Sequence, residues 1–300
     1  MTTLKAFIAQ PSVGLTSVMV FVVSSVWGLY WIPLRLLEEQ GISGGLAVTL
    51  LNLPAALIIL PVLCWQWRAH RGFIGRCLAI GLLTGIGMAL YTSGLVYSSV
   101  VRATLLFYLT PAWATLIGII WLGETATWQR WAAILVGILG LGLLVSGGGS
   151  VPLNLGDLYA LLAGLAWAMG AAVIKRYDNV PLAGMTFFQF LFTSMIALMI
   201  SVIMGDFAMP TAHRLIEVIP VPMLISLIII LPSVWLIFWA QKFLSPGRVG
   251  LLMMSEVMMA VVTASIFLPE EAMSFMAWCG AALIIVACVI EVVSVEAESG

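Results

Sequence analysis

Apolar runs of about 20 residues, separated by short charged or Gly/Pro-rich breaks, fill almost the whole chain: 15–36, 43–66, 74–98, 101–122, 129–147, 156–176, 182–204, 217–241, 247–268 and 273–294. As α-helices, runs of this length cross ~30 Å of hydrocarbon. Lipid offers no partner to a free backbone N–H or C=O, so a spanning segment is either a helix or part of a closed barrel. These runs lack the apolar/polar alternation of barrel strands. The expected fold class is therefore all-α, a polytopic membrane helical bundle of ten transmembrane helices. Composition agrees, at 63% hydrophobic and 8% charged residues, where soluble domains carry roughly a quarter charged. A net charge of −1 supplies no field for nucleic acid. The lipid bilayer is the expected partner, with no nucleic acid and no obligatory protein partner. Met1 to Ser17 contains one Lys and no small-residue cleavage site, so the first helix is expected to act as its own membrane signal.

Basic residues flanking helices favour the cytoplasmic side. With the amino terminus in the cytoplasm, Lys5, Arg68, Arg71, Arg76, Arg130, Lys175, Arg176, Lys242 and Arg248 fall inside and only Arg35, Arg102 and Arg214 outside. Both termini are then cytoplasmic. The halves also resemble each other. A shift of 146 residues lays Arg102-Ala-Thr-Leu-Leu on Arg248-Val-Gly-Leu-Leu and Leu122-Gly-Glu124 on Leu268-Pro-Glu270, and a shift of 140 pairs Trp27 with Trp167 and Arg35 with Lys175. Two units, 1–148 and 149–300, follow. Each has five crossings, an odd number, so the second must enter the membrane from the opposite side. Inverted repeats around a central site suit alternating access.

Glu256 is the sharpest single residue, a carboxyl inside an apolar run among Met253, Met254, Met258 and Met259. Intramembrane acids face a cavity or a partner. Three roles are open to it: proton coupling, contact with a substrate amine, or a structural bond at a broken helix. Trp27, Trp167, Trp235 and Trp239, with Tyr91 and Tyr108, are candidates to line a cavity, since aromatic rings combine a flat apolar face with a polar tip; an interfacial belt is the competing role for tryptophan. Asn52 and Gln189 are amides within the second and seventh helices, suited either to interhelical hydrogen bonds or to a cavity wall. Pro33, Pro54, Pro111 and Pro232 lie where a helix can kink, and Gly81-x-x-x-Gly85 and Gly137-x-x-Gly-x-Gly142 read as close packing seams. Cys64, Cys77, Cys279 and Cys288 show neither CxxC spacing nor a histidine cluster, so no disulfide, metal or other cofactor is expected.

The stretch from Leu90-Tyr-Thr-Ser-Gly-Leu-Val-Tyr-Ser-Ser-Val-Val-Arg102 through Leu109-Thr-Pro111 to Trp121-Leu-Gly-Glu124 resembles the EamA repeat of the drug/metabolite transporter superfamily. Ala240-Gln-Lys-Phe-Leu-Ser-Pro-Gly-Arg248 through Ser255-Glu256 to Leu268-Pro-Glu270 resembles a second copy, although Val257 and Pro269 stand where the family often has Pro and Gly. Within the superfamily the aromatic-rich pattern is most similar to YddG-type exporters of aromatic amino acids. The resemblance implies a bacterial inner-membrane secondary transporter that exports aromatic and other neutral amino acids through a cavity lined by Trp27, Asn52, Tyr91, Tyr108, Trp167, Gln189, Trp235, Trp239, Met253 and Glu256.

Other small amphipathic metabolites or drugs are the alternative substrates; a lipid flippase or scramblase, an ion channel and an intramembrane enzyme are the alternative classes. The enzyme is disfavoured. Gly41-Ile-Ser43-Gly44 matches a serine-protease-like G-x-S-G, but the two histidines, His70 and His213, lie in connecting segments on opposite sides of the membrane, out of reach as a general base.

Overall fold

A computed structural model of the protein describes residues 11–98, 100–145, 154–267 and 274–296. All regular structure among them is helical. The first half comprises α1 (Val13–Trp27), α2 (Trp31–Glu39), α3 (Gly44–Trp65), α4 (Ile74–Tyr97), α5 (Val100–Phe107), α6 (Thr110–Ile117), running into a π-helical turn at Gly118–Leu122, and α7 (Trp128–Val145). The second comprises α8 (Leu155–Arg176), α9 (Leu182–Met204), α10 (Ala212–Val218), α11 (Pro220–Ile225), a π-helical turn at Ser226–Ile230, α12 (Leu231–Gln241), α13 (Pro246–Met253), α14 (Ser255–Phe267) and α15 (Phe275–Glu296). Among the described residues, six helical stretches are long and apolar enough to cross a membrane: Val13–Glu39, Gly44–Trp65, Arg71–Tyr97, Leu155–Arg176, Leu182–Met204 and Ala212–Gln241. The protein is a multi-pass membrane protein.

Three of the expected continuous helices are broken, and each break has its own local chemistry. Between α1 and α2 the chain turns at Gly28–Tyr30, where the α14 backbone passes too close to residue 28 for any side chain. Between α5 and α6 it turns at Tyr108–Leu109, ahead of Pro111 in the first turn of α6, a position where the missing N–H costs nothing. Between α13 and α14 there is neither Pro nor Gly. Instead the Val257 N–H bonds to the Met254 carbonyl at 3.1 Å, three residues back, and the Met253 carbonyl thereby released accepts from the Tyr108 hydroxyl at 2.9 Å. The breaks at Tyr108 and Met254 lie 146 residues apart, the spacing of the internal repeat. Prolines behave unevenly: Pro54 and Pro61 are carried inside an unbroken α3, whereas Pro232 sits in the first turn of α12.

The most extensive helix contacts run between the halves. α4 lies along α8 and α9, α3 along α9, and α7 along α15. Small residues permit this approach: Gly81 sits against the backbone of Phe188 and Gln189, Gly85 against Phe192, Gly45 against Ser201 and the Ala197 carbonyl, and Gly140 against the Gly280 carbonyl. Gly142 faces open space. The register partner of Glu124, Glu270, and the side chains of Arg102 and Cys288 lie outside the described residues.

The two ends of the bundle are chemically different. At the basic end Lys175 Nζ donates to the Phe243 carbonyl at 2.7 Å and Lys242 Nζ to the Val180 carbonyl at 2.6 Å, capping chain ends that lack helical partners. Arg76 lies 4.6 Å from the ring centroid of Tyr177. Burial raises the Glu124 carboxyl above its ordinary range against the opposing pull of Arg130, Lys175 and Arg248. At the opposite end two aspartates hold the last residues of α4: Tyr97 donates to Asp206 at 2.7 Å, Ser201 to the same carboxylate at 2.5 Å, and Ser98 to Asp157 at 2.6 Å. Asp157 also closes a capping box with Asn154 at the start of α8. Asp157→Ala removes the acceptor of both the Asn154 N–H and the Ser98 hydroxyl and is expected to cost about 1.5–3 kcal/mol, as for hydrogen bonds to a charged group, read as a fall of several degrees in the melting temperature of the purified protein.

Candidate functional site

The broken helices converge at the centre of the bundle. Trp27 ends α1 and stacks on Tyr30 with centroids 5.3 Å apart and planes 4° from parallel. Tyr30 in turn receives a hydrogen bond from Asn52 of α3 at 3.2 Å. Tyr91 of α4 stacks on Phe107 at the end of α5, 4.3 Å between centroids. Trp167 of α8 tilts against Phe238 of α12 at 6.2 Å. Together Trp27, Met88, Tyr91, Phe107, Trp167, Val234, Ile237, Met253 and Glu256 line a small space.

Glu256 is the one acid in that lining and is 3% exposed. Its Oε1 accepts from Tyr91 at 3.0 Å and its Oε2 from Tyr108 at 2.5 Å. No Lys, Arg or His among the described residues pairs with it. A buried carboxyl with only hydroxyl partners is expensive, since a charge in low dielectric normally needs an opposite charge. The wall is otherwise apolar and aromatic. Ring faces carry negative potential and attract cations, so walls and carboxyl favour the same guest: a flat or apolar body bearing a positive centre.

The space holds about 10 Å³, on the order of a single water. That leaves no room for a substrate in this conformation. Toward the basic end the closure is tight, with Gly250 of α13 3.1 Å from the Pro111 Cα at the position a Cβ would take, and Gly247 against Thr115.

Of the residues singled out from sequence, Trp27, Tyr91, Trp167, Met253 and Glu256 stand together in the lining, and Tyr108 meets them through Glu256. Asn52 lies behind Tyr30, its Nδ2 also donating to the Val48 carbonyl at 2.8 Å. Gln189 is in the α4–α9 seam, bonded to Thr193 at 3.1 Å. Trp239 packs edge-on to Phe243 near the basic end. Trp235 is 37% exposed on the bundle surface. Trp235→Phe is thus expected to leave substrate flux within about twofold of the parent, checked in proteoliposomes, since such surface changes stay within ±0.5 kcal/mol. Sequence reading did not reach Tyr30, Met88, Phe107, Val234 or Ile237. Helical spacing carried part of the signal, Tyr30 lying three residues after Trp27 and Met88 three before Tyr91.

Residues 14–146 and 154–293 each match the EamA-like transporter family. Over 119 residues the chain is 29% identical to the S-adenosylmethionine uptake transporter of Rickettsia prowazekii (strain Madrid E), covering 39% of this chain and 40% of that protein. The proteins of the same name from Rickettsia felis (strain ATCC VR-1525 / URRWXCal2) and Rickettsia bellii (strain RML369-C) are 29% and 28% identical over the same extent. The match thus spans about two-fifths of these relatives' length. Among solved structures, the crystal structure of a protein 17% identical in sequence superposes with a TM-score of 0.68, over 94% of this chain and 96% of that one.

Proposed function

The chain belongs to the EamA-like transporter family, and on that premise we propose that it is a ten-crossing secondary carrier whose two inverted repeats, 1–148 and 149–300, alternately expose the central site to either side of the membrane. The substrate is a small amphipathic metabolite with a positively charged centre. One observation carries this reading: Glu256, which shares its lining with Trp27, Trp167, Phe107 and Tyr91, has no cationic partner among the described residues.

Aromatic and other neutral amino acids fit that chemistry, with the side chain between the rings and the ammonium at Glu256. S-adenosylmethionine, named for the rickettsial relatives, presents a flat adenine together with ammonium and sulfonium charges, the combination an aromatic site favours. The protein would reside in a plasma membrane with the basic end and both termini toward the cytoplasm, following the bias in basic residues. A carrier of this kind is reversible. Export or uptake is then set by the gradients across the membrane.

Counterflow in proteoliposomes tests the reading, using labelled L-phenylalanine, L-tryptophan and S-adenosylmethionine. Saturable exchange of at least one probe, competed by the unlabelled compound, is expected. Ion current or lipid headgroup exchange without probe flux would overturn it.

A further inference from the structure

Tyr108 has one hydroxyl hydrogen and two acceptors within reach, the Met253 carbonyl at 2.9 Å and Glu256 Oε2 at 2.5 Å. Both cannot be served at once. When Glu256 is ionised, Tyr108 donates to the carboxylate and the Met253 carbonyl loses its partner. If Oε2 carries a proton, that proton is donated to Tyr108 Oη and the Tyr108 hydrogen turns to Met253; every group is then satisfied. The heavy atoms need not move between the two states. The carbonyl at issue is the one released by the break between α13 and α14, so the break itself supplies the second acceptor. Such an arrangement accepts or releases one proton at low structural cost, unlike most buried acids.

We propose that Glu256 is a proton-binding site at which a proton and the positive group of the substrate replace one another. The inference rests on reading the central space as the transport site. With the site open to one side, a protonated Glu256 gives its proton to water as the cationic substrate takes its place against the carboxylate; on the other side the substrate leaves and a proton from that side returns to Oε2. One proton thus crosses in the direction opposite to each substrate molecule carried, and no bond other than O–H forms or breaks.

The surroundings of Glu256 are compatible with this exchange. Tyr91 faces it from α4, Tyr108 from the α5–α6 junction and Tyr30 lies nearby behind Trp27, while the lining contributed by α8 and α12 has no titratable group. Arg248 of α13 lies eight residues before Glu256, toward Glu124 at the basic end. Tyr91 is a second donor to the carboxylate, and Tyr108 is the positioning residue that makes the proton exchangeable, because it alone reaches both acceptors.

The test uses the full-length protein in vesicles loaded with a pH-sensitive dye, with labelled S-adenosylmethionine and L-phenylalanine as probes. Infrared spectra of the same protein are followed across a pH titration. In the wild type, probe flux is expected to be accompanied by proton movement in the opposite direction, and a carboxyl C=O band to appear on acidification. Glu256→Gln should lose both. Tyr108→Phe, which keeps the acid, should retain flux with its pH midpoint moved about one unit toward alkaline pH, because a charge-assisted donor has been removed. Probe flux without proton movement and independent of pH would overturn the proposal while leaving the carrier intact. Should neither probe be carried, the carrier reading fails for these substrates and the infrared band decides alone: its presence in the wild type and absence in Glu256→Gln supports a proton site, and no titrating band overturns it.

Discussion

Gly28→Val is expected to cut substrate flux at least tenfold while leaving the protein inserted in the membrane. At residue 28 a Cβ would collide with the Glu256 carbonyl oxygen, and it would stand 2.8 Å from Met259 Cβ and 3.0 Å from the Ala260 nitrogen. Two of these are backbone atoms of α14, so no rotamer change relieves the collision. The first turn of α14 must withdraw, and Glu256 moves with it, away from Tyr91 and Tyr108. Overpacking of this kind costs about 1–3 kcal/mol, and 1.4 kcal/mol is a factor of ten in an equilibrium. Proteoliposome flux, normalised to reconstituted protein, measures the effect. Flux equal to the parent would show that α14 and α1 need not meet in any step of the cycle. Gly14, whose surroundings at the Cβ position are empty, serves as the control: the same substitution there should be silent.

Trp167→Ala is expected to have the largest effect on stability, about 3–5 kcal/mol as for other buried aromatic truncations. Trp167 is 4% exposed, fills the space between Phe238 and the central lining, and its backbone nitrogen lies 3.0 Å from the Cβ position of Gly87 on α4. The loss should appear as a lower melting temperature and also in selectivity. A cavity replacing one indole wall should raise KM for aromatic substrates more than for small aliphatic ones. An equal rise for both classes would assign Trp167 to packing alone. Trp167→Phe, which keeps a ring, should recover much of the stability.

The location of the membrane segments and their repetition could be read from sequence because they depend on local composition and chain-long register. Length, apolarity and breaks marked the spans, and the 146-residue shift anticipated the spacing at which two helices interrupt. The interruptions themselves could not be read. At Met254 the break is matched by a hydroxyl 145 positions away in sequence that takes the released Met253 carbonyl, a tertiary partner with no local mark. Facing was equally hidden. α12 carries large apolar residues on every side, so nothing in its sequence says that Val234 and Ile237 turn inward while Trp235 turns outward. Glu256 was legible for the opposite reason, since a lone acid in an apolar run is conspicuous wherever it points. Gln189 is conspicuous in the same way, yet its Nε2 donates one helical turn along to Thr193 within the α4–α9 seam, which composition cannot distinguish from a wall of the site.

The pairing of α4 with α8 and α9, and of α7 with α15, has a consequence for how the protein is made. Chains are synthesised from the amino terminus, so α4 enters the bilayer with Gly81 and Gly85 facing lipid and waits there for partners encoded about 100 residues later. The newborn first half is an unfinished object, held in the membrane by its apolarity and by the fewer contacts among its own helices. Its completion depends on translation reaching α9. A nascent chain stopped before that point would present small-residue faces to any other helix in reach, and would be a substrate for membrane proteases and not a half-sized carrier.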